Sequence, residues 1–200
     1  YEYDEMQNKV NIKFIITETK RMYIGKINFF GNLKTNDEVI RREFILSEGD
    51  IYDTSKIRRS MQRIRNLDIF GDVQLKEEQI SEDKVNINIF VEEGRTISAD
   101  VALGYDFGSD FSITLKLNES NLFGTGIGTS IAVEKGRYNE SIDFSIVEPY
   151  LYGRDIALIS STGYYNVYNP NLNTYKSRSY YQSFRGIDSI SEYLKLSVGY

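Results

Sequence analysis

Phe111-Ser112-Ile113-Thr114-Leu115-Lys116-Leu117-Asn118 decides how the second half of the chain folds. Phe, Ile, Leu and Leu hold one parity; Ser, Thr, Lys and Asn hold the other. A period of two scatters apolar groups around a helix but gathers them on one face of a strand. The texture recurs on both sides. Val101, Leu103, Tyr105 and Phe107 alternate with Ala102, Gly104 and Asp106. Thr129, Ile131 and Val133 alternate with Ser130, Ala132 and Glu134, and Ile142, Phe144 and Ile146 alternate with Asp143 and Ser145. Further strands are expected over residues 156–165, 177–185 and 193–200. Two architectures share this pattern. A soluble sandwich turns its apolar face inward. A transmembrane barrel turns it to lipid and lines its lumen with small and polar groups. Alternation alone does not say which face is which. Three features favour the barrel. The segments approach the ~9–11 residues that cross a bilayer. Their second face carries Gly, Ala, Ser, Asp and Lys. Tyrosines gather at strand ends (Tyr150, Tyr152, Tyr164, Tyr165, Tyr168, Tyr180, Tyr181), where an aromatic girdle would stand.

Before residue 96 the texture is different. Asn8-Lys9-Val10-Asn11-Ile12-Lys13-Phe14-Ile15-Ile16 and Asp83-Lys84-Val85-Asn86-Ile87-Asn88-Ile89-Phe90-Val91 read alike, offset by 75 residues. Each alternates (Val10, Ile12, Phe14, Ile16; Val85, Ile87, Ile89, Val91), and recurrence at a fixed spacing argues for tandem domains. Between the copies lies one complete unit. A strand over Tyr23–Phe30 ends at Gly31, where a positive φ is easily reached. Thr35-Asn36-Asp37-Glu38 reads as a capping box opening a short helix through Phe44, with Val39, Ile40 and Phe44 inward. Asp53 caps a second helix from Thr54 to Leu67, with Ile57, Met61 and Ile64 on one face. Its basic side (Lys56, Arg58, Arg59, Arg63, Arg65) fits a solvated face or a docking face for an acidic partner or lipid headgroups. A hairpin over residues 73–78 and 84–92 completes the order strand, helix, helix, strand, strand.

The bulk numbers narrow the function. The 200 residues hold no Cys and no His, so there is no disulfide framework and no imidazole base or ligand. Sixteen Tyr and eleven Phe stand against no Trp and two Pro, which suits pleated and interfacial surfaces. A net charge of −5 argues against a nucleic-acid binder. No apolar run reaches the ~18 residues of a membrane helix. The first residues already read as strand with no signal peptide ahead, and the expectation is a piece of a longer precursor. Gly124-x-Gly126-x-Gly128 invites a nucleotide-loop reading, but no third spaced Gly and no helix follow. The carboxylates, such as Asp143 and Glu148, are scattered and have no partner base, so no enzyme, cofactor or metal site is expected.

Phe29-Phe30-Gly31-Asn32 closing the first strand, and Asn66-Leu67-Asp68-Ile69-Phe70-Gly71-Asp72-Val73 leading into the second, resemble a POTRA domain over about residues 23–93. Residues 1–20 resemble the end of a preceding one, and residues 95–200 then form the beginning of a barrel. Asn118-Glu119-Ser120-Asn121-Leu122-Phe123-Gly124-Thr125-Gly126 and Glu148-Pro149-Tyr150-Leu151-Tyr152-Gly153-Arg154-Asp155 resemble the turns after the second and fourth barrel strands of the BamA family. Together, in this order behind a POTRA domain, they are specific. The resemblance implies an α+β POTRA domain (β-α-α-β-β) over residues 21–94. It implies an antiparallel outer-membrane β-barrel after it, of which about seven of sixteen strands are present. Open, such a sheet could not span a membrane by itself, since unpaired backbone groups in hydrocarbon cost several kcal/mol each.

The function implied is the folding and insertion of β-barrel proteins into the bacterial outer membrane by templated strand addition at a lateral gate. The gate strand would be residues 97–107, with Ile97, Ala99, Val101, Leu103, Gly104 and Tyr105. Gly104 is either a softening of this strand or an ordinary bend. Val73, Leu75 and Glu77 would give a second edge in the periplasmic POTRA domain. Asn121, Gly124, Gly126, Glu148, Pro149, Tyr150, Arg154 and Asp155 are the family turn positions, and Arg95 and Thr96 make a short, restricted joint. The implied partners are unfolded outer-membrane proteins, lipoprotein subunits of the assembly complex and outer-membrane lipid, with no nucleic acid. Alternatives are a two-partner-secretion or TamA-like transporter of the same superfamily, a passive porin or adhesin, and a soluble β-rich binding module.

Overall fold

A computed structural model of the chain describes residues 2–4, 9–11, 21–107, 110–169, 175–191 and 194–200. Two short strands, β1 (Glu2–Asp4) and β2 (Lys9–Asn11), pair antiparallel. Ile12, Phe14 and Ile16, on which the reading of a preceding domain rests, lie outside the described residues.

Strands β3 (Tyr23–Phe30), β4 (Phe70–Gln79) and β5 (Lys84–Glu93) form a sheet in the order β3-β5-β4. β5 is central, antiparallel to β4 and parallel to β3. A parallel neighbour needs a long crossover, and α1 (Asp37–Arg41), α2 (Thr54–Arg65) and β4 supply it. The alternation read in β5 is the core itself: Val85, Ile87, Ile89 and Val91 are buried against Ile40, Phe44, Ile57, Met61 and Ile64. Burying each such side chain contributes about 1.5–3 kcal/mol. The Asp53 carboxylate caps α2 as expected, accepting from the Ser55 and Lys56 amides.

Two helix expectations need correction. α1 stops at Arg41 rather than Phe44, and α2 stops at Arg65 rather than Leu67. The N-cap of α1 is Asn36, with no side-chain cap bond. Thr35, read as the cap, is buried, and its hydroxyl instead accepts from Asn121, 86 residues away. A local capping signal has been overridden by a long-range one.

Seven strands follow as an antiparallel meander: β6 (Ile97–Asp106), β7 (Asp110–Leu122), β8 (Ile127–Gly136), β9 (Asn139–Glu148), β10 (Ile156–Asn169), β11 (Tyr175–Ser191) and β12 (Leu194–Gly199). The expected seven are present, with β10 and β11 longer than their patterns. Tyr193, expected to open the last strand, lies outside the described residues. Register aligns the alternation across strands. Val101, Leu115, Val133, Ile142, Tyr164 and Tyr180 make one transverse row. Val101 (67%), Leu115 (52%), Val133 (41%) and Ile142 (49%) stand exposed. The opposite face carries Asp100, Lys116, Ala132, Asp143, Gly163 and Tyr181 in register. There Tyr181 donates to Asp143 across Gly163, where an added Cβ would stand 2.5 Å from the tyrosine ring. One face is thus bonded within itself, and among the described residues nothing covers the apolar face. A large exposed apolar surface of this kind calls for a non-aqueous neighbour.

Candidate functional site

The site is built from the first strand of the large sheet and the turns that join this sheet to the POTRA unit. β6 pairs with β7 through all ten residues, from Ile97 with Glu119 to Asp106 with Asp110. Among the described residues no strand lies on its other side. Ile97, Ala99, Val101, Leu103 and Tyr105 share its outward parity, with the large members exposed. Tyr105 packs on Phe111 at 4.7 Å between ring centroids, which pins the far end of the hairpin. Gly104 sits opposite Ser112 on the other face. An added Cβ there would lie 3.0 Å from the Ser112 hydroxyl oxygen.

β4 is an edge of the POTRA sheet, and so is β3. The three β4 side chains have different surroundings. Val73 is buried in the core, Leu75 packs against it, and exposed Glu77 accepts from the Tyr52 hydroxyl at 2.6 Å. Of these three only Glu77 is exposed to a partner, alongside the β4 backbone and the exposed Gln74, Lys76 and Glu78.

Of the family turn positions, Asn121, Gly124, Gly126 and Tyr150 come together where the two units meet. Asn121 is buried and does two jobs: its Nδ2 donates to Thr35 Oγ1 and its Oδ1 accepts from the Gly126 amide, each at 2.8 Å. The Gly124 carbonyl accepts from the Asn36 amide at 2.9 Å. Gly124 has φ 76°. An added Cβ would stand 1.9 Å from the Lys34 carbonyl oxygen. Gly126 has φ 73°, and its added Cβ would stand 2.4 Å from a terminal nitrogen of Arg42. Gly124 lets the β7–β8 turn press backbone-to-backbone against the POTRA loop, and Gly126 leaves room for the Arg42 and Val39 side chains.

The second turn binds through charge. Pro149 and the Glu148 carboxylate, which accepts from the Tyr150 amide at 3.0 Å, set the turn so that Tyr150 reaches the POTRA helices. The Tyr150 hydroxyl accepts from Arg63 at 3.0 Å, and Arg63 also pairs with Glu43 at 3.0 Å. The Arg42 guanidinium lies 4.4 Å over the Tyr150 ring. Two Arg42 nitrogens are buried without a hydrogen-bond acceptor, so the ring face is what meets this cation. Burial, and then the nearby Glu43 carboxylate, push the Tyr150 hydroxyl up to about 12, so it is neutral at any ordinary pH. Arg154 and Asp155 do not join this cluster. Their backbones close the turn, with the Arg154 amide donating to Leu151 and the Asp155 carbonyl accepting from Ser189.

On the POTRA side the loop is held from below. Glu93, at the end of β5, accepts from the Lys34 and Thr35 amides, both at 2.7 Å. Burial would raise its pKa, but these two amides, the Thr35 side chain and the Lys34 charge together outweigh that and hold it below the usual carboxylate value. Thr35, Arg42, Glu43, Arg63 and Glu93 were not legible as site residues. Arg63 was visible only as one member of a basic helix face.

Comparison with known proteins fits this geometry. Residues 22–94 match the POTRA family model described as a surface antigen variable number repeat. The outer membrane protein assembly factor BamA of Neorickettsia risticii is 30% identical over 98% of this chain, which spans 27% of that relative. A crystal structure of BamA from Haemophilus ducreyi lacking POTRA domains 1–3 superposes with a TM-score of 0.83 at 25% identity. The match covers 99% of this chain and 38% of that one. CdiB from Acinetobacter baumannii shares the fold, with a TM-score of 0.65 at 14% identity over 90% of this chain and 36% of its own. A POTRA domain clasped by two turns of an antiparallel barrel sheet, with relatives of one name across nearly its whole length, places the chain in the BamA family.

Proposed function

We propose that the protein these residues belong to folds and inserts β-barrel proteins into the bacterial outer membrane, and that β6 is the template strand. The observation that carries this reading is the edge of β6. Ten residues are fully paired on one side, no described strand lies on the other, and an apolar outward row runs alongside. Ten residues are enough to cross a bilayer. In hydrocarbon each unpaired N–H or C=O costs several kcal/mol, so an open gate edge and an incoming client strand each stabilise the other by pairing. The client then zips strand by strand, driven by apolar burial in lipid and closure of its own ladder. No catalytic residue, cofactor or nucleotide is needed.

The POTRA domain stands in the periplasm, where the β4 edge receives unfolded outer-membrane proteins or lipoprotein subunits. The clasp at Asn121, Gly124 and Tyr150 keeps that edge in fixed relation to the gate. The test uses the absence of Cys in these residues. In the full-length chain, single Cys residues replace Ala99, Val101 or Leu103, or Lys116 or Ala132 on the opposite face, and a stalled client carries one Cys in its terminal strand. Disulfide links that shift in step with the register along β6 are expected. Links confined to lumen-facing positions, with none along β6, would instead assign a polypeptide transporter of the same superfamily.

A further inference from the structure

The two POTRA-side turns are the same module used twice. Glu119-Ser120-Asn121-Leu122-Phe123-Gly124 and Glu148-Pro149-Tyr150-Leu151-Tyr152-Gly153 align position for position, 29 residues apart. Their geometry repeats as well. Each Glu accepts the amide two residues on, from Asn121 at 2.8 Å and from Tyr150 at 3.0 Å. The third position plugs into the POTRA domain in both, Asn121 to Thr35 and Tyr150 to Arg63. The fifth position is aromatic in both and left-handed in both, with φ 53° at Phe123 and 54° at Tyr152. Each precedes a Gly that is itself left-handed. Both rings stand almost free, Phe123 at 89% and Tyr152 at 94% exposed.

A left-handed position favours Gly, and an aromatic ring with no neighbours does not pack the turn. Two such displays in one molecule point to something outside the chain. Leu33, 93% exposed in the POTRA loop beside Lys34, is a third apolar side chain at this junction. We propose that Leu33, Phe123 and Tyr152 form an apolar rim that seats in the periplasmic leaflet, at the boundary between headgroups and acyl chains. Phe123 and Ile97 border one cleft of about 490 Å³, and Ile97 opens the outward apolar row of β6. The rim thus continues the lipid-facing surface past the strand ends. Amphipathic and aromatic rings suit that depth. Exposed Lys34 and Arg154, beside Leu33 and Gly153, suit the phosphates next to it. Each module therefore has two arms, one holding the POTRA domain and one holding the membrane. The POTRA loop touches lipid directly through Leu33.

The inference rests on the reading of β6–β12 as membrane-spanning, and the experiment separates the two. A full-length chain with its other Trp residues replaced by Phe receives one Trp at a time: Leu33→Trp, Phe123→Trp, Tyr152→Trp, and Leu115→Trp as reference. Each variant is placed in phosphatidylethanolamine–phosphatidylglycerol vesicles. Quenching is read with lipids brominated near the headgroup, with lipids brominated near the chain ends, and with acrylamide in water. Trp at 33, 123 and 152 is expected to be quenched by the shallow bromines and shielded from acrylamide, and Trp at 115 by the deep bromines. Acrylamide quenching at 123 and 152 with no lipid quenching, while 115 remains lipid-quenched, overturns the rim and leaves the barrel standing. Shielding from acrylamide without lipid quenching overturns it in favour of a protein partner. Loss of lipid quenching at 115 as well overturns both readings.

Discussion

Gly124 and Gly153 have nearly the same backbone, φ 76° and 72°, and opposite surroundings. An added Cβ at Gly124 meets the Lys34 carbonyl at 1.9 Å, and at Gly153 it meets nothing within 4 Å. The Lys34 segment cannot easily yield, because Glu93 holds its amide and that of Thr35. Gly153→Ala is therefore expected to cost only the left-handed penalty, about 1–2 kcal/mol. Gly124→Ala adds a backbone clash of the overpacking kind, worth about 1–3 kcal/mol more, or pushes the turn off the POTRA loop. Denaturant midpoints of the two full-length variants in detergent decide the matter, and equal losses would mean that the turn does not press on the loop. Asn121 is the same lesson in hydrogen bonds. Its amide satisfies a buried hydroxyl on one side and a buried backbone N–H on the other, so no residue lacking both a donor and an acceptor replaces it cleanly.

Elements were the most legible scale, and the reason is periodicity. Alternation is a local property that burial on one face imposes, so β5 and the seven meander strands could be read from their own residues. What alternation could not say was which face met lipid. Register answers it, because only the assembled rows show a polar face bonded to itself and an apolar face left open. Leu115 and Thr114 are neighbours in the middle of β7 on opposite faces. At bilayer mid-depth Leu115→Arg is expected to cost about 2–4 kcal/mol, and Thr114→Arg much less. Heat-modified gel migration of refolded full-length protein reads the folded fraction, and equal loss from both variants would reject the assignment of faces. Helix ends were read less well. Thr35 carries a valid cap signal, yet α1 forms without it, since the hydroxyl serves Asn121 instead. The turn residues were picked out by resemblance, but nothing local revealed that their partners were Thr35, Arg42 and Arg63. Contacts between residues some 90 positions apart leave no periodic trace.

At the scale of the molecule, the question is what keeps the POTRA domain in place over the barrel when the covalent joint is only Gly94, Arg95 and Thr96. The clasp forms a chain of dependence. The Glu93 carboxylate orders Lys34 and Thr35, the Thr35 hydroxyl receives Asn121, and the Asn36 amide holds the Gly124 carbonyl. One ionised group thus underlies contacts made by two others. Its pKa is lowered in the folded protein, where the Lys34 and Thr35 hydrogen bonds and the Lys34 charge together outweigh burial. A depressed carboxylate contributes stability that is fully present above its ordinary value and is lost as pH falls through the folded one. The clasp should therefore be pH-insensitive near neutrality and loosen below about pH 4.5. Spin labels on cysteines replacing Lys84 in β5 and Lys176 in β11 measure the distance between the units in the full-length protein. A narrow distribution at pH 7 is expected to broaden on acidification to about pH 3. Glu93→Gln keeps the shape and removes the charge, so it should start broader at pH 7 and respond less. Tyr150 gives the control. Its hydroxyl, pushed up to about 12, stays neutral throughout this range and adds no acid response of its own. A distribution that ignores pH, or that moves equally in Glu93→Gln, would mean that the Tyr150–Arg63–Glu43 cluster alone sets the posture and that Glu93 only tidies its loop.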